Sequence, residues 1–368
     1  MLRLPPFRFL QPETAREAAL LLAEHGAEAM AVAGGTDLYP NLKRRQFEPK
    51  VLVSLRALAG THGIDVNGEL RLGAMTTLTE VERHPEVLRR WPAVARAAGL
   101  VSSPPLRNAG TIGGNLCVDT RCTYYNQTEF WRASIGYCMK RPAGGFSLGA
   151  SAGFTPARVL LDARAAEDTA MKKDGDICLV APGSDKCWAL SSSDTAPVMI
   201  ALEATATLVG PEGERRIPVA ALYGRDGIAY LAKRPEEILT DVHVPDRTGW
   251  ETTYRKLRRR GSIDFPIVGV AAAVRRDAGG VVEDARIVLG AVHTHPVEAV
   301  DAQEFLKGRR LEPETIDMAA GIAYKPARPL DNADLSYAWR KRMVRIEVAR
   351  ALRGLAGLPT GDLPPVVA

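Results

Sequence analysis

GTIGGNL, residues 110–116, begins the stretch that organises this chain, and SSSDT, residues 191–195, ends it. All five cysteines lie between these two motifs: Cys117, Cys122, Cys138, Cys178 and Cys187. Glycine lets a backbone approach a ligand closely and adopt positive φ, and thiolates are the ordinary ligands of iron–sulfur clusters. The stretch therefore predicts two redox centres side by side, one at a phosphate-holding loop and one held by cysteines.

A second glycine-rich loop lies earlier in the chain. The segment AMAVA, residues 29–33, is typical of a short buried strand, and it runs directly into GGTDL, residues 34–38. A strand, a glycine turn and a helix can turn backbone N–H groups toward an anion. The loop is neither a G-x-G-x-x-G fingerprint nor a P-loop, so alone it also fits an ordinary turn. Two such loops together could hold the pyrophosphate of a dinucleotide from both sides.

Length and composition indicate a globular protein of more than one domain. The chain has 368 residues, of which 46% are hydrophobic and 25% charged, and this length is typical of two or three domains. No apolar run approaches the roughly 20 residues of a membrane helix, and the amino terminus lacks the features of a secretory signal. We therefore expect a cytoplasmic protein without a membrane span.

The charge of the chain does not indicate a nucleic-acid partner. The formal net charge is only +5, and the basic runs at residues 43–45 and 255–260 are short. Nucleic-acid binding usually comes with a recognisable reading motif, and the sequence contains none. We expect these runs to be solvated surface or an anion-binding patch.

The number of cysteines argues against a disulfide framework. Five is an odd number, and disulfides are rare in cytosolic proteins. The spacing lacks the C-x₂-C pairs of a ferredoxin run or a zinc ribbon. The residues alone therefore leave three interpretations open, namely a cluster, a zinc site and unligated core cysteines. His293 and His295 form an H-x-H pair without a nearby third ligand, and we interpret them as structural.

The pattern of apolar residues predicts alternating helices and strands. Thr77 is a plausible helix cap because Glu80 follows at the capping-box spacing. The predicted helices are 13–28, 39–43, a helix starting at 77, 91–100, 198–203, 297–306, 313–322 and 333–352. The predicted strands are 29–33, 51–55, 70–74, 204–209, 238–245, 267–274, 281–285 and 285–292, with a hairpin turn at 212–214.

The paired loops resemble a known family. AGGTDL, residues 33–38, and RNAGTIGGNL, residues 107–116, are similar to the loops of the FAD-binding medium subunits of molybdenum hydroxylases, in the carbon monoxide dehydrogenase and xanthine dehydrogenase group. The resemblance implies an α+β fold with a two-subdomain, vanillyl-alcohol-oxidase/PCMH-like FAD-binding domain at 1–234. It also implies a smaller α+β C-terminal domain of the CO dehydrogenase flavoprotein type at 235–355 and a tail at 356–368.

This resemblance implies which residues bind FAD. It assigns Asp194 to the sugar-like chain of the flavin, Tyr223 to a ring near the isoalloxazine and Lys256 to a further flavin contact. Asp194 also fits a helix start, and Tyr223 also fits a plain core tyrosine. We expect the backbone amides of Gly35 and Gly114 to face the pyrophosphate. The implied cofactor residues are Ala33, Gly34, Gly35, Thr36, Asp37, Leu38, Thr111, Ile112, Gly113, Gly114, Asn115, Asp194, Tyr223 and Lys256.

The cysteine segment resembles the beta subunits of the 4-hydroxybenzoyl-CoA reductase family. GGNLCVDTRCTYYNQTEFWR, CMK, KKDGDIC and SDKCWALSSSDTAP carry this likeness. It implies an insertion at about 117–190 that holds a 4Fe–4S cluster on Cys122, Cys138, Cys178 and Cys187, with Cys117 as a non-ligand. The chain departs from that family by the extra residues 141–172, since family members usually run from CMK straight into KDG. The extra residues fit a surface loop or a docking element, with a possible short helix at 157–166.

The resemblance also implies a function and partners. The chain would be an electron-transfer subunit of a molybdenum-dependent reductase in anaerobic aromatic compound degradation, with no catalytic residue of its own. Electrons from a ferredoxin-type donor would pass through 4Fe–4S and FAD to a 2Fe–2S small subunit. A molybdopterin-binding large subunit would dehydroxylate an aromatic acyl-CoA, in a dimer of heterotrimers. The alternatives are the FAD subunit of an oxidising molybdenum hydroxylase and a non-redox module with structural zinc.

Overall fold

Three β-sheets and the helices between them form the part of the chain that the computed structural model describes, residues 2–142, 175–331 and 335–360. The first sheet is parallel, with β1 (Arg8–Leu10), β2 (Ala29–Val32) and β3 (Val51–Ser54) in the order β1-β3-β2. Parallel strands need a crossover connection, and helix α1 (Ala15–His25) supplies it between β1 and β2. Helix α2 (Leu38–Lys43) starts directly after the first glycine loop.

The next segment confirms the predicted capping box. The Thr77 hydroxyl accepts a hydrogen bond from the Glu80 amide at 3.2 Å, and the Glu80 carboxylate accepts one from the Thr77 amide at 2.7 Å. The motif joins two residues only three positions apart, so it can be recognised in the sequence. The elements here are β4 (Ile64–Asn67), β5 (Glu69–Gly73), α3 (Leu78–Arg83), α4 (Pro85–Arg90), α5 (Pro92–Leu100), α6 (Pro104–Arg107), α7 (Ile112–Leu116) and α8 (Glu129–Ser134).

A five-stranded antiparallel sheet follows, in the order β4-β5-β8-β6-β7. Helix α9 (Thr195–Ala201) precedes its strands β6 (Thr205–Gly210), β7 (Gly213–Pro218) and β8 (Ile238–Val244). The sequence predicts that the strand at 238–245 enters the C-terminal domain. The structure instead hydrogen-bonds β8 between β5 and β6, so it completes the sheet of the preceding residues.

The last sheet is also antiparallel, in the order β12-β11-β10-β9. The two strands predicted at 281–285 and 285–292 are wrong as separate elements, because one strand pairs with β10 from Gly290 back to Val282. The helix predicted at 297–306 starts three residues later, since a short strand comes first. The elements are β9 (Trp250–Leu257), β10 (Val268–Arg276), β11 (Val282–Gly290), β12 (Val297–Glu298), α10 (Val300–Leu306), α11 (Pro313–Ala323) and α12 (Tyr337–Leu355).

The last sheet is buried on both faces. Alternate residues of a strand point to opposite faces, and along β10 Ala271 and Ala273 join the core that contains α9, whereas Val270 and Ala272 join the core under α10 to α12. Tyr254 on β9 belongs to the α9 side. The sheet therefore brings side chains of β9 against the residues that start α9, which is where the candidate site lies.

The remaining predictions concern the extra segment, the tail and the expected lack of a membrane span. The helix predicted at 157–166, most of the extra residues 141–172 and the end of the tail lie outside the described residues. Among the described helices, none is both long and apolar enough to cross a membrane.

Candidate functional site

The two glycine loops meet in the structure. A Cβ placed on Gly34 would overlap the carbonyl oxygen of Ala109, which directly precedes the second loop. A Cβ on Gly110 would lie 3.5 Å from the Thr36 hydroxyl oxygen of the first loop. Only glycine at position 34 permits this approach, so the loops form one continuous surface although they are far apart in sequence.

Loop one, residues 33–38, presents free backbone donors. The amides of Gly34, Gly35 and Thr36 donate to no acceptor among the described residues. Gly35 has a φ of +72°, a conformation that glycine adopts without strain. Successive amides at such a turn form a concave anion site. Loop one therefore has the donors that a pyrophosphate requires.

Three amides of loop two, residues 110–116, already have acceptors within the chain, among them the Gly114 amide that the sequence predicts to face the pyrophosphate. The Gly114 amide donates to the Thr111 hydroxyl at 3.0 Å and the Gly113 amide to the Ala74 carbonyl at 2.8 Å. The Ile112 amide donates to the Thr76 carbonyl at 3.0 Å. Two of these bonds fix helix α7 against the segment between β5 and α3, and together they occupy the amides of Ile112, Gly113 and Gly114.

Asn115 joins loop two to the start of α9. Its side-chain oxygen accepts hydrogen bonds from the Thr195 amide at 3.1 Å, from the Thr195 hydroxyl at 2.7 Å and from the Ser193 hydroxyl at 2.9 Å. These bonds satisfy a donor at the helix start that has no partner within the helix. Asp194 is thereby held beside loop two.

Asp194 and Lys256 form a buried ion pair. The Lys256 ammonium lies 2.8 Å from one Asp194 oxygen, and the Tyr254 hydroxyl donates to the other at 2.8 Å. The side chains of Lys256 and Asp194 are 0% and 3% exposed. Burial raises the pKa of Asp194 and lowers that of Lys256, while their mutual attraction acts against both shifts. The Asp194 carboxylate does not cap α9, so a plain helix start does not explain it.

Removing the Lys256 charge should destabilise the fold. Lys256→Met leaves the Asp194 carboxylate buried without its cation, and breaking one side of a buried pair costs about 3 kcal/mol. We expect that loss in the free energy of unfolding from urea titration, and a smaller loss in the double variant Asp194→Asn/Lys256→Met. Lys307→Met, which breaks the exposed pair with Glu304, should leave the urea midpoint unchanged. Equal midpoints for Lys256→Met and the wild type would contradict this account.

Two residues that sequence reasoning missed lie beside loop one. Arg121 forms an ion pair with Asp37, and its guanidinium lies 4.5 Å from the centre of the Phe265 ring. Burial lowers the pKa of Arg121 to about 10. Phe265 is 47% exposed. No local motif indicates this pairing, because loop one, the cysteine segment and the loop before β10 meet only in the folded chain.

Tyr223 and Tyr254 are two tyrosines with different surroundings. The Tyr223 hydroxyl donates to the Leu116 carbonyl at 3.0 Å. Its ring packs against the core that contains α9, which is the main core of the chain. This environment explains Tyr223 without a ligand, so its flavin contact stays a prediction. Tyr254 was missed, although it lies two residues before Lys256 on β9, and the two-residue period of strands places both on one face.

The four predicted ligand cysteines line one cavity. Its walls contain the side chains or backbone of Cys122, Cys138, Cys178 and Cys187, together with Tyr124, Tyr125, Met139, Lys140, Leu179, Val180 and Ala189. The Met139 amide donates to the Ile177 carbonyl at 2.9 Å, which closes the base of the extra segment beside the cavity. Cys117 is not part of these walls and packs against the main core. The structure thus separates the fifth cysteine from the other four.

The four thiols interact electrostatically. A hydrogen bond between Cys178 and Cys187 lowers the pKa of Cys178 to about 6 and raises that of Cys187. Burial raises the pKa of Cys122 to about 11, with smaller contributions from Cys138 and Cys178. Among the described residues, no three His, Cys, Asp or Glu side chains converge as a single metal ion requires.

The cavity adjoins loop one. Cys122 follows Arg121, the partner of Asp37, and it packs against the same hydrophobic cluster as Leu38 and Tyr39 of α2. The His293 ring lies 5.4 Å from that of Trp188 and 4.4 Å from that of His295. Burial lowers the pKa of both histidines, to about 3 and about 4. The cysteine cavity and the glycine loops are therefore neighbours.

Known proteins share the sequence pattern of both parts of the chain. The family model of the FAD binding domain in molybdopterin dehydrogenase matches residues 5–247, and that of the CO dehydrogenase flavoprotein C-terminal domain matches residues 252–355. The aldehyde oxidoreductase FAD-binding subunit PaoB of Escherichia coli is 32% identical over 81% of this chain and 85% of its own. The carbon monoxide dehydrogenase medium chain of Hydrogenophaga pseudoflava is 26% identical over 95% and 96%.

Solved structures share the fold. A chain of carbon monoxide dehydrogenase from Hydrogenophaga pseudoflava superposes with a TM-score of 0.73 at 24% identity, and the match covers 96% of this chain and 99% of that one. A chain of quinoline 2-oxidoreductase from Pseudomonas putida superposes with a TM-score of 0.70 at 23% identity, covering 96% and 98%. The α+β architecture is therefore the one found in these enzymes.

Proposed function

The chain belongs to the FAD-binding medium subunits of the molybdenum hydroxylase and carbon monoxide dehydrogenase family, and we propose that it relays electrons between a 4Fe–4S cluster and FAD. The observation that carries this proposal is the cavity lined by four cysteines beside the glycine loops. The family membership supports FAD but does not extend to the cluster, which rests on the cysteines alone.

The described residues fit FAD. We propose that the free amides of loop one, at Gly34, Gly35 and Thr36, bind the pyrophosphate, and that Gly34 lets loop two close over it. Asp194 and Lys256 would border the flavin end, with Tyr254 holding the carboxylate in place. Bound flavin would supply a carrier that accepts and passes on electrons. The protein contributes binding, orientation and electrostatics.

The gathered cysteines support the proposed cluster. Thiolates are the ordinary ligands of a 4Fe–4S cluster, and Cys122, Cys138, Cys178 and Cys187 line one cavity. Cys117 lies elsewhere, which agrees with its proposed role as a non-ligand.

We propose that electrons from a ferredoxin-type donor enter at the cluster and leave from FAD to a 2Fe–2S small subunit. A molybdopterin-binding large subunit would then reductively dehydroxylate an aromatic acyl-CoA, as in 4-hydroxybenzoyl-CoA reductases, within a dimer of heterotrimers. Replacing a ring hydroxyl by hydrogen consumes two electrons and two protons and releases water. The ion pair of Arg121, which precedes Cys122, with Asp37 of loop one supports a short path between the two carriers.

An oxidising molybdenum hydroxylase is the second candidate. The names of matched relatives favour it, since they include an aldehyde oxidoreductase, a nicotinate dehydrogenase and a nicotine 6-hydroxylase. In that case electrons would arrive from molybdenum and leave through FAD, and the cysteine cavity would need no cluster. The four gathered cysteines favour the reductase proposal.

We also propose a domain boundary at residues 248–251, and not between 234 and 235 as the sequence predicts. Strand β8 hydrogen-bonds to β5 and β6. The two family matches end at 247 and begin at 252. The FAD-binding domain would therefore include β8, and the C-terminal domain would start with β9.

Cofactor analysis of the full chain tests the proposed function. Purified without oxygen, it should contain one FAD, about four iron and about four sulfide ions per chain, and it should co-purify with a 2Fe–2S subunit and a molybdopterin subunit when these are expressed with it. Flavin without iron would favour the oxidising hydroxylase, and zinc without iron would favour the structural module. Iron with sulfide, together with reduction of the cluster by a reduced ferredoxin, would support the relay.

A further inference from the structure

A lysine ammonium is buried beside the cysteine cavity. The side chain of Lys140 is 3% exposed. Its ammonium donates to the Asp119 carboxylate at 2.7 Å, to the Thr120 hydroxyl at 2.6 Å and to the Gly227 carbonyl at 2.7 Å. An ammonium has three donors, so all of them are used and the buried charge is satisfied.

The ammonium lies close to the thiols. Lys140 is one of the residues that line the cavity, and its Nζ lies 4.7 Å from the centre of the Tyr125 ring, another part of the wall. Gly227, whose carbonyl binds the ammonium, packs so closely on Cys187 that a Cβ would be 2.9 Å from its Sγ.

The partner carboxylate lies behind the ammonium. Asp119 is buried but is not part of the cavity walls. Its oxygens also accept hydrogen bonds from the Thr120 amide at 2.8 Å and from the Tyr125 hydroxyl at 2.9 Å. The pair has no net charge, and of its two members only Lys140 is a residue that lines the cavity. The positive and negative ends of the pair therefore differ in their position relative to the four cysteines.

Stability does not explain such a pair. Replacing a buried ion pair by apolar residues of similar volume is often neutral or stabilising. The potential of an iron–sulfur cluster depends on net charge and on the polarity of its surroundings. Reduction adds a negative charge to the cluster, and a nearby cation in a low-dielectric site favours that state.

We propose that Lys140 and Asp119 are positioning residues that set the reduction potential of the cluster, with Lys140 raising it and Asp119 limiting the rise. This inference rests on the proposed function, because it needs a cluster on the four cysteines. Neither residue is offered as a ligand.

EPR-monitored redox titration of the full chain tests the inference. Lys140→Met removes the cation with little change in length, and the equilibrium constant for cluster reduction should fall at least tenfold, a shift of about 59 mV to more negative potential for one electron. Asp119→Asn leaves the ammonium uncompensated and should shift the potential in the opposite direction. The control is Lys233→Met, a lysine near Cys117 that is not part of the cavity walls, and its potential should equal that of the wild type.

The outcomes separate this inference from the function on which it rests. If the wild-type chain contains no iron after reconstitution, the proposed cluster is wrong. If the wild-type chain holds a cluster, its reduction potential could be unchanged in Lys140→Met and Asp119→Asn, or shift in the same direction in both. Either result would overturn the tuning role and leave the relay intact. If Lys140→Met does not retain the cluster, the redox titration of Asp119→Asn is the test of the proposal. An unchanged reduction potential in Asp119→Asn overturns it.

Discussion

Replacing any one of Cys122, Cys138, Cys178 or Cys187 with serine is expected to remove the cluster iron, whereas Cys117→Ser retains it. Serine withdraws a soft thiolate that the iron requires, and the four cysteines line one cavity while Cys117 packs in the core. The measurement is iron and sulfide content together with EPR of the reduced chain. FAD content should stay at the wild-type level in all five variants, because loop one does not include these thiols.

A deletion variant separates ligation from the extra segment. Removing residues 142–172 should retain the cluster, because the Met139 amide and the Ile177 carbonyl already join the two ends at 2.9 Å. Arg141 is kept in this variant, since its side chain is buried near Glu48. A normal 4Fe–4S signal in Cys178→Ser, or its loss in Cys117→Ser, would overturn the ligand assignment.

The second large effect is expected at Gly34. In Gly34→Val the new side chain overlaps the Ala109 carbonyl oxygen, and backbone atoms cannot yield as a flexible side chain would. The two glycine loops must separate, so FAD affinity should fall at least tenfold, or about 1.4 kcal/mol. Flavin absorbance after gel filtration and a direct FAD titration of the apoprotein measure this loss.

A matched control for Gly34 exists in the C-terminal domain. A Cβ on Gly321 in helix α11 would have no heavy atom within 4 Å, so Gly321→Ala should keep full flavin and gain slightly in stability, since alanine is the better helix former. Circular dichroism should show that Gly34→Val is folded. Full flavin occupancy in a folded Gly34→Val variant would contradict the proposal that the two adjoining loops bind FAD.

Local signals in the sequence predicted much of the fold. The Thr77 and Glu80 capping box, the turn between β6 and β7 and the strand-to-loop step at residues 29–38 all depend on groups a few residues apart. Such contacts can be read from the sequence because little else decides them. The family resemblance of the glycine loops came from the same kind of local pattern, and the family matches confirm it.

Long-range contacts account for what the sequence missed. The strand at 238–244 has the same apolar pattern in either sheet, and only its hydrogen bonds to β5 and β6 decide its place. Burial of Asp194 depends on Lys256, 62 residues away, and Arg121 meets Asp37 across 84 residues. The amides of Ile112 and Gly113 in loop two have acceptors between β5 and α3 that no glycine motif reveals.

The sequence by itself determined the identity of the loops, the number of cysteines and the family. Tertiary structure alone decided that Gly34 joins the loops and that the Lys140 ammonium lies near the cavity that four of the five cysteines line. The physical reason is that propensities and caps act over one helical turn, whereas a binding site is made where segments distant in sequence bury their surfaces together.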